Sequence, residues 1–257
     1  MLINDLTFQL NYAKYVDDTT VLSISSDPSN PELQISADSL VAWTEQNHMR
    51  VNESKTKEML IYFGTKHNPS ELARIHINLK EIESVESLKL LGVVLSSDLS
   101  WSEHVDYMLR KVAKRMYCMH YLVRARVKDT DVLTIYCSVI RTVLEYACPV
   151  WHPGLTQKQS DEIEKIQKRC LKLIYPDLSY NQALATSGLT KLQERRETIT
   201  RELFNEIKDH QHVLHSLLPM RDPNSLRSRN PYQYLIPITK PTRFGRAFVP
   251  YCISRRY

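Results

Sequence analysis

The sequence predicts an α+β protein: a β-rich front part, a helical back part, then an irregular basic arm. Three observations carry that expectation. Short alternating or β-branched runs fill the first hundred positions. After Ser100, apolar residues recur at helical spacing behind Ser/Thr-x-x-Glu/Gln capping patterns. From Arg221 onward, eight basic residues face the single acid Asp222, a net +7 in a chain whose total is +5. The boundaries this implies are 1–98, 99–219 and 220–257. At 257 residues, 42% hydrophobic and 25% charged, the composition excludes wholesale disorder and fibrous repeats. Gly is scarce at 5 residues, and neither GxGxxG nor GxxxxGK[ST] occurs, which excludes Rossmann and P-loop nucleotide binding.

Residues 8–25 predict two short strands meeting at a polar tip, since Leu10, Tyr12 and Ile24 alternate with polar residues and Thr19-Thr20-Val21 is β-branched. Leu33, Ala37, Leu40, Val41 and Thr44 then recur as one helical face. Met59 to Phe63 predicts a buried strand ending at Gly64, followed by a polar loop from Lys66 to Ser70. Ile75–Leu79, Ile82–Val85 and Leu88–Leu95 predict further strands. Ser100 and Glu103 form a capping-box pattern for a long helix with Val105, Met108, Leu109, Val112, Met116, Met119 and Val123 on one stripe. Asp131 is placed to cap a second, with Val132, Tyr136, Val139, Val143 and Ala147 in register. Thr156/Gln159, Ser179/Gln182 and Thr190/Gln193 box three more, the second ending at Gly188 and the last near His210.

Five cysteines, odd in number and without a CxxC pair, point to buried or free thiols in a reducing compartment. The start lacks a basic region and carries Asp5, unlike a signal peptide. The most apolar stretch, Val132 to Trp151, is interrupted by Arg141 and Glu145. An intracellular chain, nuclear or cytoplasmic and without a membrane contact, is the expectation. His210, His212 and His215 crowd one helix end beside Asp209 and without a nearby cysteine, and helix-dipole stabilisation explains them better than a metal. Cys148 and His152 supply only half a zinc set.

Chemistry concentrates at Tyr15-Val16-Asp17-Asp18. Adjacent carboxylates repel unless something positive joins them, and Mg²⁺ takes such hard oxygen ligands, bridging them to substrate phosphates. Strand side chains alternate, so the two acids reach one ion only across a turn; Asp17 is the expected direct ligand and Asp18 assists. Taken by itself, an adjacent pair of acids is explained more simply by a solvated hairpin turn, since turn residues outnumber metal sites. The tail interleaves Arg243 and Arg246 with aromatic residues and five prolines, a composition suited either to single-stranded nucleic acid or to an arm that wraps the body.

Taken together, INDL (Ile3 to Leu6) and KYVDDTTVL (Lys14 to Leu22) resemble the catalytic hairpin of reverse transcriptases of non-LTR, jockey- or CR1-like retrotransposons. VNESKTKEMLIYF (Val51 to Phe63) is similar to their N-x-x-KT segment. LKLLGVVLSSDLSWSEHV resembles their primer-grip hairpin through Leu91, Gly92, Val93, Trp101 and His104. YCSVIRTVLEYACPVWHP, SGLTKLQERRETITRELF and TRFGRAFVPYCISRRY resemble the segments that follow, in the same order.

The resemblance implies a partial palm sheet with a helix, then a thumb-like helical bundle and the basic arm. By it, Asp17 and Asp18 would hold Mg²⁺, with Mn²⁺ as an alternative, and Tyr15 would pack beneath the primer end. Lys55 would lie near the triphosphate, stabilising the leaving pyrophosphate. Leu91, Gly92 and Val93 would position the primer. Arg110, Lys111, Lys114 and Arg115 would contact phosphates of the template–primer duplex, although a solvated basic face accounts for part of that set. The implied partners are an RNA template, a DNA primer and a deoxynucleoside triphosphate; the implied reaction is two-metal nucleotidyl transfer. The family places another palm carboxylate and the fingers before the hairpin, whereas 14 residues precede Tyr15. The expectation is therefore a C-terminal piece, inactive alone, whose magnesium site is completed by an N-terminal part. A non-catalytic nucleic-acid-binding remnant, or a product with no function of its own, are the alternatives.

Overall fold

The structure, a computed structural model, describes residues 5–25, 30–63, 74–220, 234–235 and 242–257. It is a mixture of helices and small sheets, as an α+β chain should be. The chain divides into two compact units, one of residues 1–89 and 96–98, the other of 90–95 and 99–257.

In the first unit, β1 (Asn11–Tyr15) and β2 (Asp18–Leu22) form an antiparallel hairpin in which Tyr15 pairs with Asp18. Helix α1 (Glu32–Gln46) covers the expected stripe. It is anchored by Gln34, whose Nε2 donates to the His76 carbonyl (2.9 Å) and whose Oε1 accepts from the His76 N–H (2.8 Å). The rest of the sheet departs from expectation. Met59 to Phe63 is not a strand: only Lys57–Glu58 (β3) pairs, in parallel, with Glu83–Ser84 (β6), and Tyr62 and Phe63 are exposed. Ile75–Leu79 shrinks to β4 (His76–Ile77), which turns at Asn78–Leu79 onto β5 (Lys80–Glu81). The continuous strand expected over Leu88–Leu95 is a hairpin of β7 (Ser87–Leu90) and β8 (Val93–Ser96). An apolar run reports burial but not its neighbour, and a strand exists only where a neighbour takes its backbone groups. Among the described residues the strands therefore stand as two-stranded pairs, and no continuous palm-like sheet assembles. Gly64 and the loop Lys66–Ser70 lie outside the described residues, as does the arm apart from 234–235 and 242–257.

The second unit holds the larger core. Helix α2 (Ser102–Arg124) buries Val105, Met108, Val112 and Met119 from the anticipated stripe. Its N-cap is Trp101 rather than the expected Ser100. Helix α3 (Asp129–Ile135) starts after Lys128 rather than at Asp131 and widens into a π-helical stretch, Tyr136–Arg141, before α4 (Thr142–Glu145). That wide turn adds a residue to the repeat, so Ile140 is buried where 3.6-residue spacing had placed Val139. Ala147 takes a left-handed conformation and α5 (Cys148–Trp151) follows. Helices α6 (Gln157–Ile174) and α7 (Tyr180–Ser187) start with complete capping boxes at Thr156 and Ser179, and Gly188 ends α7 at φ 67°.

Helix α8 (Leu192–Ile207) lacks the expected Thr190/Gln193 box. Its first amides instead reach across to α6: Glu164 accepts from Leu192 N–H (3.3 Å) and Gln193 N–H (3.4 Å), and also from the Tyr180 hydroxyl. Gln167 extends this buried network, accepting from Tyr136 (2.7 Å) and donating to the Thr190 carbonyl (3.0 Å). After α9 (Thr242–Gly245), the stretch expected to be irregular forms α10 (Phe248–Arg255), where Cys252 and Ile253 pack with Phe204 and Ile207 of α8. All five cysteines are free thiols. No single helix among the described residues is long and apolar enough to cross a membrane.

Candidate functional site

The acidic tip is a two-residue loop, Val16–Asp17, between paired Tyr15 and Asp18. Val16 has φ 57°, a region that a β-branched side chain adopts only under strain. The turn solves the alternation problem: Asp17 projects from the loop, and Asp18 shares a strand face with Tyr15. Both carboxylates are exposed, and neither has a hydrogen-bond or ion-pair partner among the described residues. Tyr15 is exposed too. Lys14 is drawn away, donating to the Leu6 carbonyl (2.6 Å). Among the described residues, no group of three or more His, Cys, Asp or Glu side chains gathers where it could hold a metal. The tip thus offers two hard oxygen donors, suited to Mg²⁺ but short of a full protein cage.

Lys55 lies in a turn capped by Asn52, its amide donating to the Asn52 carbonyl (3.1 Å), with its side chain exposed and not ion-paired to Asp17 or Asp18.

In the helical unit, the tip Leu91–Gly92 turns with φ 46° and 88°. Tyr146 clamps it: its hydroxyl donates to the Leu91 carbonyl (2.8 Å), and a Cβ on Gly92 would meet the Tyr146 ring at 3.0 Å. Val93 is buried. The adjacent Val94 amide donates to Nδ1 of His104 (3.2 Å), a ring 1% exposed that packs against Trp151 and Trp101. Burial lowers the His104 pKa to about 4, so the ring is neutral, its proton is on Nε2, and that atom has no partner. His104 is therefore the hairpin's mooring, with Trp101 packed against its ring.

On α2, Arg110, Lys111 and Lys114 are exposed, whereas Arg115 donates to the Val139 carbonyl of the π-helical stretch. Sequence reasoning missed two companions. Tyr117 and Tyr121 are 68% and 63% exposed with ring centroids 5.6 Å apart, and with Arg110, Lys114 and Arg124 they recur at helical spacing along one face. The signal was available: two tyrosines four apart, off the apolar stripe. Arg243 and Arg246 are exposed in and just after α9.

Set beside known proteins, the chain is similar to part of an RNA-directed DNA polymerase from a mobile element, which supports a non-LTR reverse-transcriptase-related region. The relative is the RNA-directed DNA polymerase from mobile element jockey of Drosophila melanogaster, 26% identical over 167 residues, which is 63% of this chain and 18% of that protein. The chain thus spans less than a fifth of that relative's length. No family model matches, and no solved structure matches.

Proposed function

We propose that this chain is a region of an RNA-directed DNA polymerase, with Asp17 and Asp18 presenting the carboxylates that hold Mg²⁺ beside the primer end. The observation that carries this is the acidic tip: Asp17 on a strained two-residue loop and Asp18 at the first position of β2, two carboxylates without a hydrogen-bond or ion-pair partner among the described residues, within a chain similar to part of such a polymerase. Mg²⁺ bound there would polarise the phosphate under attack and neutralise the leaving pyrophosphate. Tyr15 lies opposite Asp18 and offers an aromatic surface to the primer end. Lys55 supplies a mobile ammonium for triphosphate charge. The clamped tip Leu91–Val93 is a rigid surface for positioning a backbone. The described residues bring only two carboxylates together, so template, primer and further oxygen donors complete the set.

Because turnover needs donors beyond these two carboxylates, the test reads metal binding: Mn²⁺ titration, followed by electron paramagnetic resonance, of the chain, Asp17→Asn and Asp18→Asn with an RNA–DNA primer–template present. Binding by wild type that weakens at least about tenfold in both variants supports the proposal. No binding by wild type, or equal binding by both variants, removes the tip from the chemistry.

A second reading, nucleic-acid binding without chemistry, is favoured by the aromatic-basic face of α2. It predicts salt-sensitive binding of an RNA–DNA hybrid with no extension. Tyr117→Ala/Tyr121→Ala would then weaken binding by about 1–3 kcal/mol per stacked base, read by fluorescence anisotropy.

A further inference from the structure

Within the helical unit, a cavity of about 550 Å³ opens between the start of α6, the first turns of α8 and helix α10. Three exposed cations from separate stretches of chain line it: Lys191, Arg246 and Arg255. Thr156 and Gln157 bring the positive end of the α6 dipole to the same wall. Immediately behind that wall lies Arg196, 0% exposed. Its Nε donates to His152 Nδ1 (3.4 Å) and its Nη2 to Ser160 Oγ (3.1 Å); both acceptors line the cavity. The guanidinium rests over Trp151, 5.8 Å from the ring centroid, its Nη1 has no partner, and no carboxylate forms an ion pair with it among the described residues.

A buried guanidinium whose hydrogen bonds go to neutral acceptors has no direct ion pair and is compensated only through space, by the charges of Glu164 and Glu145. Of the two acids on the lining, Glu197 is already engaged: it accepts from His152 Nε2 (2.8 Å) and from the Tyr251 hydroxyl (2.8 and 3.0 Å), with Arg255 at 3.9 Å. The other, Glu194, is exposed, and its carboxylate has no hydrogen-bond or ion-pair partner among the described residues. An anion in the cavity would meet three cations, a helix N-terminus and the field of Arg196 together.

We propose that this cavity binds a phosphate group. Arginine forks and a lysine point charge match tetrahedral, multiply charged oxygens, and the volume suits a group of nucleotide size. The phosphate comes either from a nucleic-acid strand or from free pyrophosphate. This site requires nothing of Asp17 or Asp18 and stands or fails apart from the polymerase proposal.

The experiment titrates the whole chain with pyrophosphate by calorimetry and with a short RNA oligonucleotide by fluorescence anisotropy. Wild type is expected to bind at least one probe, and Lys191→Gln/Arg246→Gln to bind it at least about tenfold more weakly with unchanged thermal unfolding. Glu194→Gln is expected to bind that probe more tightly. Loss confined to pyrophosphate assigns the free anion; loss that extends to RNA, with pyrophosphate competing, assigns a strand phosphate. No binding of either probe by wild type, or equal binding by the double variant, overturns the proposal.

Discussion

Because Nδ1 of His104 accepts from Val94 and its Nε2 faces apolar neighbours, only the neutral ring fits the fold. Its pKa is lowered from 6.5 to about 4 by burial, so below pH 6.5 the unfolded chain binds a proton that the folded one refuses. The stability that this ring contributes is complete above pH 6.5 and is lost as pH falls from 6.5 toward 4, at about 1.4 kcal/mol per pH unit. Urea unfolding followed from pH 7.5 to 4.5 should show that slope. His104→Asn, which keeps an acceptor near the Nδ1 position, should flatten it. At this scale the sequence was only half legible. The spacing of Trp101 and His104 suggested a hairpin pattern, but that the imidazole moors Val94 depends on a fold-back that no local rule encodes. Asp17 was readable as an exposed turn residue because turns are local; Arg115 was not readable as structural, because the Val139 carbonyl that takes it lies 24 residues away.

Among the elements, the helix caps separate what is local from what is not. The boxes at Thr156 and Ser179 formed as their residues dictate, because donor and acceptor lie three residues apart. The same pattern at Thr190 did not, because Glu164 of α6 holds the first amides of α8. A carboxylate 28 residues upstream offers a stronger, charge-assisted acceptor than a threonine hydroxyl. Glu164→Gln should lower the unfolding free energy by about 1–3 kcal/mol, since the amide keeps one acceptor oxygen but loses the charge. Equilibrium denaturation checks this, and Thr190→Ala, whose side chain does not cap α8, should change little. The strand runs failed for the matching reason: Met59–Phe63 has strand composition, yet pairing is a property of two segments. The π-helical stretch failed differently, since one added residue shifted the buried register without altering the composition.

At the scale of the molecule, charge and class were legible earlier than architecture. The basic tail and the order of motifs pointed to nucleic acid, and part of a mobile-element polymerase is similar to this chain. That α10 would pack on α8 was obscured by the prolines and charges around it; Cys252 and Ile253, the residues it buries, are two apolar positions in a basic stretch.

The chain passes between its two units three times, after Lys89, after Leu95 and after Asp98. A gene cut at 98/99, where composition changes, would therefore strand six residues, 90–95, on the wrong product. The piece 99–257 would keep Tyr146 and His104 but lose the carbonyl and amide that they hold. It should melt at a lower temperature than a piece that starts at Ser87, as differential scanning calorimetry of the two would show. For anyone dividing or swapping modules of this chain, the seam is a stitch rather than a joint: a clean exchange has to carry the whole loop of thread.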